Sequence, residues 1–511
     1  MTYHEDLCQD IRRKGNYNKV MLLTVDIGTS FFKSAVWDFE GSRKVFSAMP
    51  LPAGNADSPV CYEMDSTHWL KAFENSCREC GKAVPLADIE ALVISGNGPT
   101  LVPVLETKAE AGRAERRSAA PARLWLDRRA GKAAQQVSAL MGEFVDAGFF
   151  LPKALDIKIN EPELYEKTVW FLGCPELLAF ALTGEARTVF PTDGFERWYW
   201  NDSILERLEL DKEKFPLFIR PGETFGGLGA EAAGRIGFRK GVPVIAGGPD
   251  FFAAILGSGA VKPGQACDRC GTSEGINVCT KTRITDGRLM SYSHPQKPFW
   301  NLSGIISTAG KAIEWARDLL GVKTFDDFFS LAETAQAGAG GLVFLPYLAG
   351  ERTPIWNPSA RAVLRGLSLS TGRSEFARSI MEGICFAVRD VICVMEEAGA
   401  EVGELRVAGA ASGNALLNRI KADITKKKTI SFAQKEAELL GNAIIGFCAL
   451  GKYASYSEAA DVLVRTEETF FPNEKNAVLY DDLFAEYRKA RVGTDELFSP
   501  GVFPAADKSP E

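Results

Sequence analysis

One short plan occurs twice in this chain and constrains it more than any other feature: a strand-like run, Gly-Thr-Ser, then a second strand-like run. The first copy, LLTVD-IGTS-FFKSAVWDF, follows Met21, and the second, GQACDRC-GTS-EGINVCT, covers Gly264–Thr280. Apolar and polar residues alternate on both sides of Gly28, as the arms of a half-buried hairpin require. Two copies of a phosphate-gripping hairpin predict two related domains facing one another across a cleft. The length of 511 residues agrees, since it exceeds what one hydrophobic core sustains. The Gly-rich stretch 256–264 (LGSGAVKPG) marks the boundary, giving a first domain over 20–259 and a second over 260–495. Residues 1–19 read as a polar extension, and the Pro-containing tail after Gly493 as a surface arm.

Charge and composition exclude several partners. A net charge of -7 with no basic stripe argues against nucleic acid, and the cluster Arg113, Arg116, Arg117 reads as a solvated loop. No apolar run reaches the roughly 20 residues that span a bilayer, and the N-terminus lacks a signal-peptide core, so a cytoplasmic location is expected. Eleven cysteines at irregular spacing fit reduced thiols. The C-x-x-C pairs Cys77/Cys80 and Cys267/Cys270 would suit zinc, but they lie far apart in sequence and read better as chance pairs of buried cysteines. With only three histidines, acid–base chemistry falls to a carboxylate.

Further strands are predicted at Ile89–Ser95 and Val242–Ala246, and helices at Ser66–Lys82, Glu163–Leu182 and Lys435–Leu450. On this frame the chemistry gathers at strand ends. Gly28 lets backbone amides approach a phosphate, and Thr29 and Ser30 add hydroxyl donors. Asp26 can hold a hydrated magnesium ion and Lys33 can neutralise phosphate charge. An ordinary glycine turn with capping hydroxyls is the alternative. Gly271-Thr272-Ser273 is a second nest of donors. Asp250, after the run VPVIAGGP, is placed either to take a proton from an attacking hydroxyl or to cap the helix FFAAILG. The segment VAGAASGNALLNRIKADIT, from Val407, leaves room for a flat base at Gly409–Ala411, or is simply a strand–turn–helix unit.

The set DIGTS, WLDRRA, GGPDFFAAILGSG, GTS and AGAASGN, with GLVFLPYLAGERTPIWNPSARAVLRGLSL at Gly341–Leu369, resembles the FGGY family of carbohydrate kinases from about residue 20 to residue 455. The resemblance implies an α/β fold of two duplicated ribonuclease-H-like domains, of the actin- and hexokinase-like ATPase type, with an interdomain cleft. It implies ATP-dependent phosphorylation of a sugar or polyol hydroxyl, with Mg2+ as cofactor. Carried over by position, it makes Asp26 the metal-associated carboxylate and Asp250 the catalytic base. It makes Thr29, Ser30 and Lys33 phosphate contacts, with Gly271 and Thr272 as the second set. Gly310, Ala410 and Asn414 become nucleotide contacts, although glycine is more usual where Ala410 stands.

On the substrate side, Asp127 and Arg128 match the family's sugar-contacting loop; a surface ion pair is the alternative reading. Gly96 and Asn97 stand where a substrate segment is expected, and Asn97 offers a donor and an acceptor to a vicinal diol. The segment Ser95–Thr100 departs from the better-known members and disfavours glycerol, leaving a ketopentose such as xylulose or ribulose as the expected acceptor. Trp198 and Trp200 suit either a sugar face or core packing. A homodimer is one assembly the chain admits. A nucleotide-binding regulator that has lost catalysis, or an actin-like ATPase, is the alternative to the kinase.

Overall fold

The structure, a computed structural model, describes residues 21–58, 60–108, 114–118, 120–196 and 199–497. The extension over 1–19, Arg113, Trp198 and the last part of the tail lie outside the described residues. The chain divides into two compact units. Unit 1 contains the chain up to Gly257 together with Glu438–Ala459, and unit 2 contains Ser258–Ala437 and the residues from Ala460 onward.

Among the described residues, the sheet of unit 1 contains β1 (Met21–Ile27), β2 (Phe31–Asp38), β3 (Arg43–Pro50), β4 (Ile89–Gly96), β5 (Thr224–Gly227) and β6 (Pro243–Pro249), in the order β5-β6-β4-β1-β2-β3. Strands β1 and β2 form the antiparallel hairpin that the alternation predicts, while β4 runs parallel to both β1 and β6. Central parallel strands are covered on both faces, which explains the near-continuous apolar runs in β1 and β4. Of the two polar residues in β1, Thr24 and Asp26, the first is satisfied locally: its hydroxyl donates to the Ala35 carbonyl and accepts from the Trp37 indole.

Unit 2 repeats this plan. Its sheet contains β7 (Gln265–Cys270), β8 (Glu274–Thr280), β9 (Met290–Ser293), β10 (Trp300–Ile306), β11 (Glu404–Ala408), β12 (Lys428–Phe432) and β13 (Thr466–Phe470). The order is β9-β10-β8-β7-β11-β12-β13. Strand β7 lies between antiparallel β8 and parallel β11, as β1 lies between β2 and β4. Strands β10, β12 and β13 then occupy the places of β3, β6 and β5, with the same directions. The weak Gly-Thr-Ser repeat therefore marks a duplicated sheet. Each unit has its own hydrophobic core.

Several expectations need correction. Residues 163–182 are not one helix: Pro162–Lys167 and Cys174–Thr183 are helical, with the strand Thr168–Leu172 between them. Gly173 is extended and Pro175 fits the first turn of the later helix, so the pattern breaks there, and TVWFL pairs with Val102–Lys108 instead. Arg116 and Arg117 belong to a strand, Ala114–Ser118, and not to a loop. The tail stays helical past Gly493, to Leu497. Among the described residues, no helix is long and apolar enough to cross a membrane.

The helix Ala437–Ala449 brings the chain back into unit 1. Gly441 on this helix leaves no room for a side chain: an added Cβ would lie 1.8 Å from the Ala253 carbonyl oxygen. Glycine-to-alanine in a helix interior ordinarily gains roughly 1 kcal/mol. Here Gly441→Ala is expected to lose about 1–3 kcal/mol through overpacking, read as a lowered thermal unfolding midpoint.

Candidate active site

In unit 1 the ends of three parallel strands come into register. Asp26 lies beside Ser95, and Ser95 beside Gly248; one residue on, Ile27, Gly96 and Pro249 are level. Asp250 follows at once, opening the helix Asp250–Gly257. The sheet thus gathers Asp26, Gly96, Asn97 and Asp250 at the carboxyl edge of its parallel strands, where sites in α/β folds form. Lys33 stands directly across the β1–β2 ladder from Asp26.

Asp26 is buried within a network that spans most of the chain. Ser95 Oγ donates to its Oδ1 at 2.9 Å. Asn442 Nδ2 in turn donates to Ser95 Oγ at 2.7 Å and to the Val25 carbonyl at 2.9 Å. Burial first, then the negative charges of Glu438 and Asp250, push the Asp26 carboxyl up to about 7, against the opposing pull of Ser95 and Lys33. Two further carboxylates thus bear on Asp26 through space and disfavour its ionised form, while among the described residues no three acidic, histidine or cysteine side chains are grouped to hold a metal ion by themselves. Sequence reading missed Glu438, Asn442 and Ser95. Only an acidic and an amide residue in the apolar run ELLGNAIIG could have pointed to the first two.

The turn after β1 is tight. The Gly28 amide donates to the Phe31 carbonyl at 2.9 Å, and a Cβ on Gly28 would lie 2.7 Å from that oxygen. The Thr29 hydroxyl accepts from the Trp125 indole at 3.0 Å, and Ser30 is exposed. The Asp250 carboxylate accepts from the next backbone amide, Phe251, at 2.6 Å, so it serves its own helix terminus while it bears on Asp26.

The substrate-side residues are arranged differently from the expectation. The Asn97 side chain is engaged within the protein: it donates to the Ile27 carbonyl and accepts from Thr100. Asp127 is fully buried and is held by the Tyr62 amide and by Arg129, not by Arg128. Arg129 also pairs with Glu63. Arg128 donates to the Trp125 carbonyl and lies 3.4 Å from Asp146. A residue that sequence reading missed, Lys153, is buried without a carboxylate in hydrogen-bond contact. Its ammonium donates to the carbonyls of Pro99, Arg123 and Leu124, clamping the 97–100 segment to the 123–129 segment. Burial holds its pKa well below the usual lysine range. Trp200 packs among Phe150, Tyr199, Phe215 and Phe218, in favour of the core reading.

In unit 2 the Gly271–Ser273 turn is closed by the Gly271 amide donating to the Ser273 carbonyl at 2.8 Å. Two backbone segments press against this turn. The Gly310 amide, at the start of the helix Gly310–Leu319, donates to the Gly271 carbonyl, and a Cβ there would lie 2.4 Å from that oxygen. Gly409, with φ +87°, approaches the Cys270 carbonyl so closely that a Cβ would lie 2.3 Å away. Ala410 is exposed in the following 3-10 turn, and the Asn414 side chain caps the helix Ala415–Thr425 by accepting from the Leu417 amide. Gly271, Thr272, Gly310 and the 409–414 loop thus meet at one end of the second sheet.

The Gly350–Pro354 loop, whose role the residues alone did not disclose, braces this end. Buried Glu351 accepts from the amides of Ser307 and Arg352, both at 2.7 Å. Thr353 pairs with Ile305 through backbone and hydroxyl. The loop therefore fixes the end of β10, just ahead of Gly310. Burial pushes the Glu351 carboxyl up to about 7, against those amide bonds. Cys77 and Cys80 lie on the core side of the helix Thr67–Gly81 and Cys267 and Cys270 on β7; all four are buried thiols.

The duplicated sheets, each ending in a Gly-Thr-Ser turn, define a ribonuclease-H-like ATPase of the actin and hexokinase type. The profiles "FGGY family of carbohydrate kinases, N-terminal domain" and "C-terminal domain" match residues 21–257 and 268–450. The chain belongs to the FGGY family of carbohydrate kinases and is an ATP-dependent sugar phosphotransferase. It is 25% identical over 500 residues to the xylulose kinase of Staphylococcus epidermidis, covering 94% of this chain and 98% of the relative. In fold it is similar to a ligand-bound xylulose kinase of Lactobacillus acidophilus, with a TM-score of 0.82 at 23% identity, covering 94% of this chain and 99% of the other. A gluconate kinase of the same organism gives a TM-score of 0.81 at 23% identity, with the same coverage.

Arg129 and Arg128 separate a structural pair from a surface one. Arg129→Ala strands the buried Asp127 carboxylate and is expected to cost about 3–5 kcal/mol of stability. Arg128→Ala should change stability by less than about 1 kcal/mol. Denaturant unfolding of the two variants beside the parent checks the order.

Proposed function

We propose that this kinase transfers the γ-phosphoryl group of ATP to a hydroxyl of a ketopentose, with xylulose the first candidate. The observation that carries the reading is the register of β1, β4 and β6, which gathers Asp26, the 95–97 segment and Asp250 at one sheet edge. The xylulose kinases among the similar proteins favour the ketopentose; the gluconate kinase, equally alike in fold, makes gluconate the second acceptor to test.

In this reading the unit 1 residues from the first domain, 20–259, serve the sugar and phosphates, and those of 260–495 serve the nucleotide. Asp250 orients the acceptor hydroxyl and takes its proton, the task of a general base. Thr29, Ser30 and Lys33 grip phosphate from one hairpin, and Gly271 and Thr272 from the other. Gly310, Ala410 and Asn414 border the nucleoside. Asp26, with Glu438 bearing on it, is the carboxylate that would meet a phosphate-bound Mg2+, whose charge would offset that of the phosphates. Positioning and electrostatics supply most of the rate in phosphoryl transfer. Gly96 borders the sugar through its backbone, since a Cβ there would lie 3.1 Å from both Cys174 and Ile27. Asn97 and Asp127, whose polar atoms are engaged by Ile27, Thr100, Tyr62 and Arg129, shape that side by holding its backbone. Arg128, half-exposed, is the residue of this loop that reaches the sugar.

The decisive measurement is ADP release from Mg-ATP with xylulose, ribulose, gluconate and glycerol, for the parent chain and for Asp250→Asn. Xylulose-dependent release is expected, with turnover reduced roughly a hundred- to ten-thousand-fold in the variant and nucleotide binding retained. Near-normal turnover of Asp250→Asn would remove the base assignment. Release with gluconate alone would move the acceptor to a sugar acid, and nucleotide binding without any acceptor-dependent release would return the chain to the regulator reading.

A further inference from the structure

Behind the second Gly-Thr-Ser turn lies a buried ionic cluster that the reaction above does not use. Lys421 Nζ, on the helix Ala415–Thr425, donates to Asp268 Oδ2 and to Glu274 Oε1, both at 2.5 Å. All three side chains are shut off from solvent, at 1% exposure or less. Asp268 is on β7, three residues ahead of Gly271, and Glu274 opens β8 immediately after Ser273. The two carboxylates therefore flank the turn in sequence. Lys421 belongs to the helix that the 409–414 loop opens, capped by Asn414.

Burying three charges is expensive, and hydrophobic residues of similar volume are often as stable or more so. Stability alone therefore does not account for the cluster. Its placement offers another account: one ammonium joins both ends of the phosphate turn to the helix that carries the nucleoside loop.

We propose that Lys421 is a positioning residue for the nucleotide, setting the Gly271–Ser273 turn and the 409–414 loop at a fixed spacing through Asp268 and Glu274. This rests on the reading that the turn grips nucleotide phosphate. With both carboxylates ionised the cluster carries one net negative charge just behind a phosphate site; with one proton held, it is neutral. Burial and the neighbouring Asp268 push Glu274 up to about 8, so the neutral form prevails at pH 7 and the charged form at higher pH. The other titratable groups facing the cluster are the buried thiols of Cys270 on β7 and Cys385 on the helix Arg373–Glu397, both held well above their ordinary range, chiefly by burial. Nucleotide affinity should therefore fall as pH rises through the Glu274 transition.

The test is direct titration of the full chain with Mg-ADP between about pH 7 and about pH 9, a window chosen to cross the Glu274 transition. Because Lys421→Met alone strands two buried carboxylates and risks misfolding, the variants are Glu274→Gln and the triple variant Lys421→Met/Asp268→Asn/Glu274→Gln. The parent should bind more weakly at the upper pH. Glu274→Gln should lose the pH dependence. The triple variant should bind roughly tenfold more weakly, the scale of a misplaced contact, without pH dependence in the window. Thr272→Val is the control. If it weakens Mg-ADP binding while the folded triple variant binds like the parent, with the same pH slope, the positioning role is overturned. If Thr272→Val also binds like the parent, it is the phosphate-turn reading that fails.

Discussion

Both units depend on close backbone approach at the same place: a central strand paired antiparallel on one side and parallel on the other ends in a turn where glycine has no room for a side chain, at the turn itself in unit 1 and in the segments packed against it in unit 2. At Gly28 a Cβ would press on the Phe31 carbonyl, and at Gly310 and Gly409 it would press on the backbone beside the Gly271 turn. Such approach places glycine backbone and the Thr-Ser hydroxyls of each turn together at the strand ends. Much else in each unit holds these turns still. The Glu351–Thr353 loop fixes the end of β10, and the Lys421 cluster fixes the turn from behind.

The carboxylates follow a related logic. Asp26 is buried and has Glu438 and Asp250 near it, so its ionised form is disfavoured until positive charge arrives. Ser95 donates to this carboxylate, and Asn442 holds Ser95 in turn. On the sugar side, polar groups are satisfied by the protein itself: Asp127 by Arg129, Asn97 by Ile27 and Thr100, and Lys153 by three carbonyls. These bonds hold the backbone of the 97–100 and 123–129 segments in place.

Elements defined by local pattern were legible in the sequence. The hairpin β1–β2, its copy β7–β8, strands β4 and β6, and the helices near residues 67–81 and 437–449 all lie where apolar periodicity and glycine punctuation predict. The stretch 163–182 failed because TVWFL is short and apolar, a run that periodicity alone cannot divide between helix and strand. Long-range partners were not legible. Arg129 and Arg128 are neighbours in the sequence, yet only one turns toward Asp127, a choice made by the packing around residues 60–64.

The class of this protein is written in local patterns of the chain. Two Gly-Thr-Ser hairpins, a carboxylate after VPVIAGGP and the Gly350–Pro354 loop are local patterns, and local patterns fix strands, turns and the residue types available for chemistry. Only the tertiary structure decided which charges meet. Glu438 bears on Asp26 and Asn442 bonds Val25 across more than four hundred residues, and Lys421 reaches Asp268 and Glu274 across about a hundred and fifty. Those encounters are set by sheet order and helix return, and since charges interact through space and not along the chain, no local spacing records them.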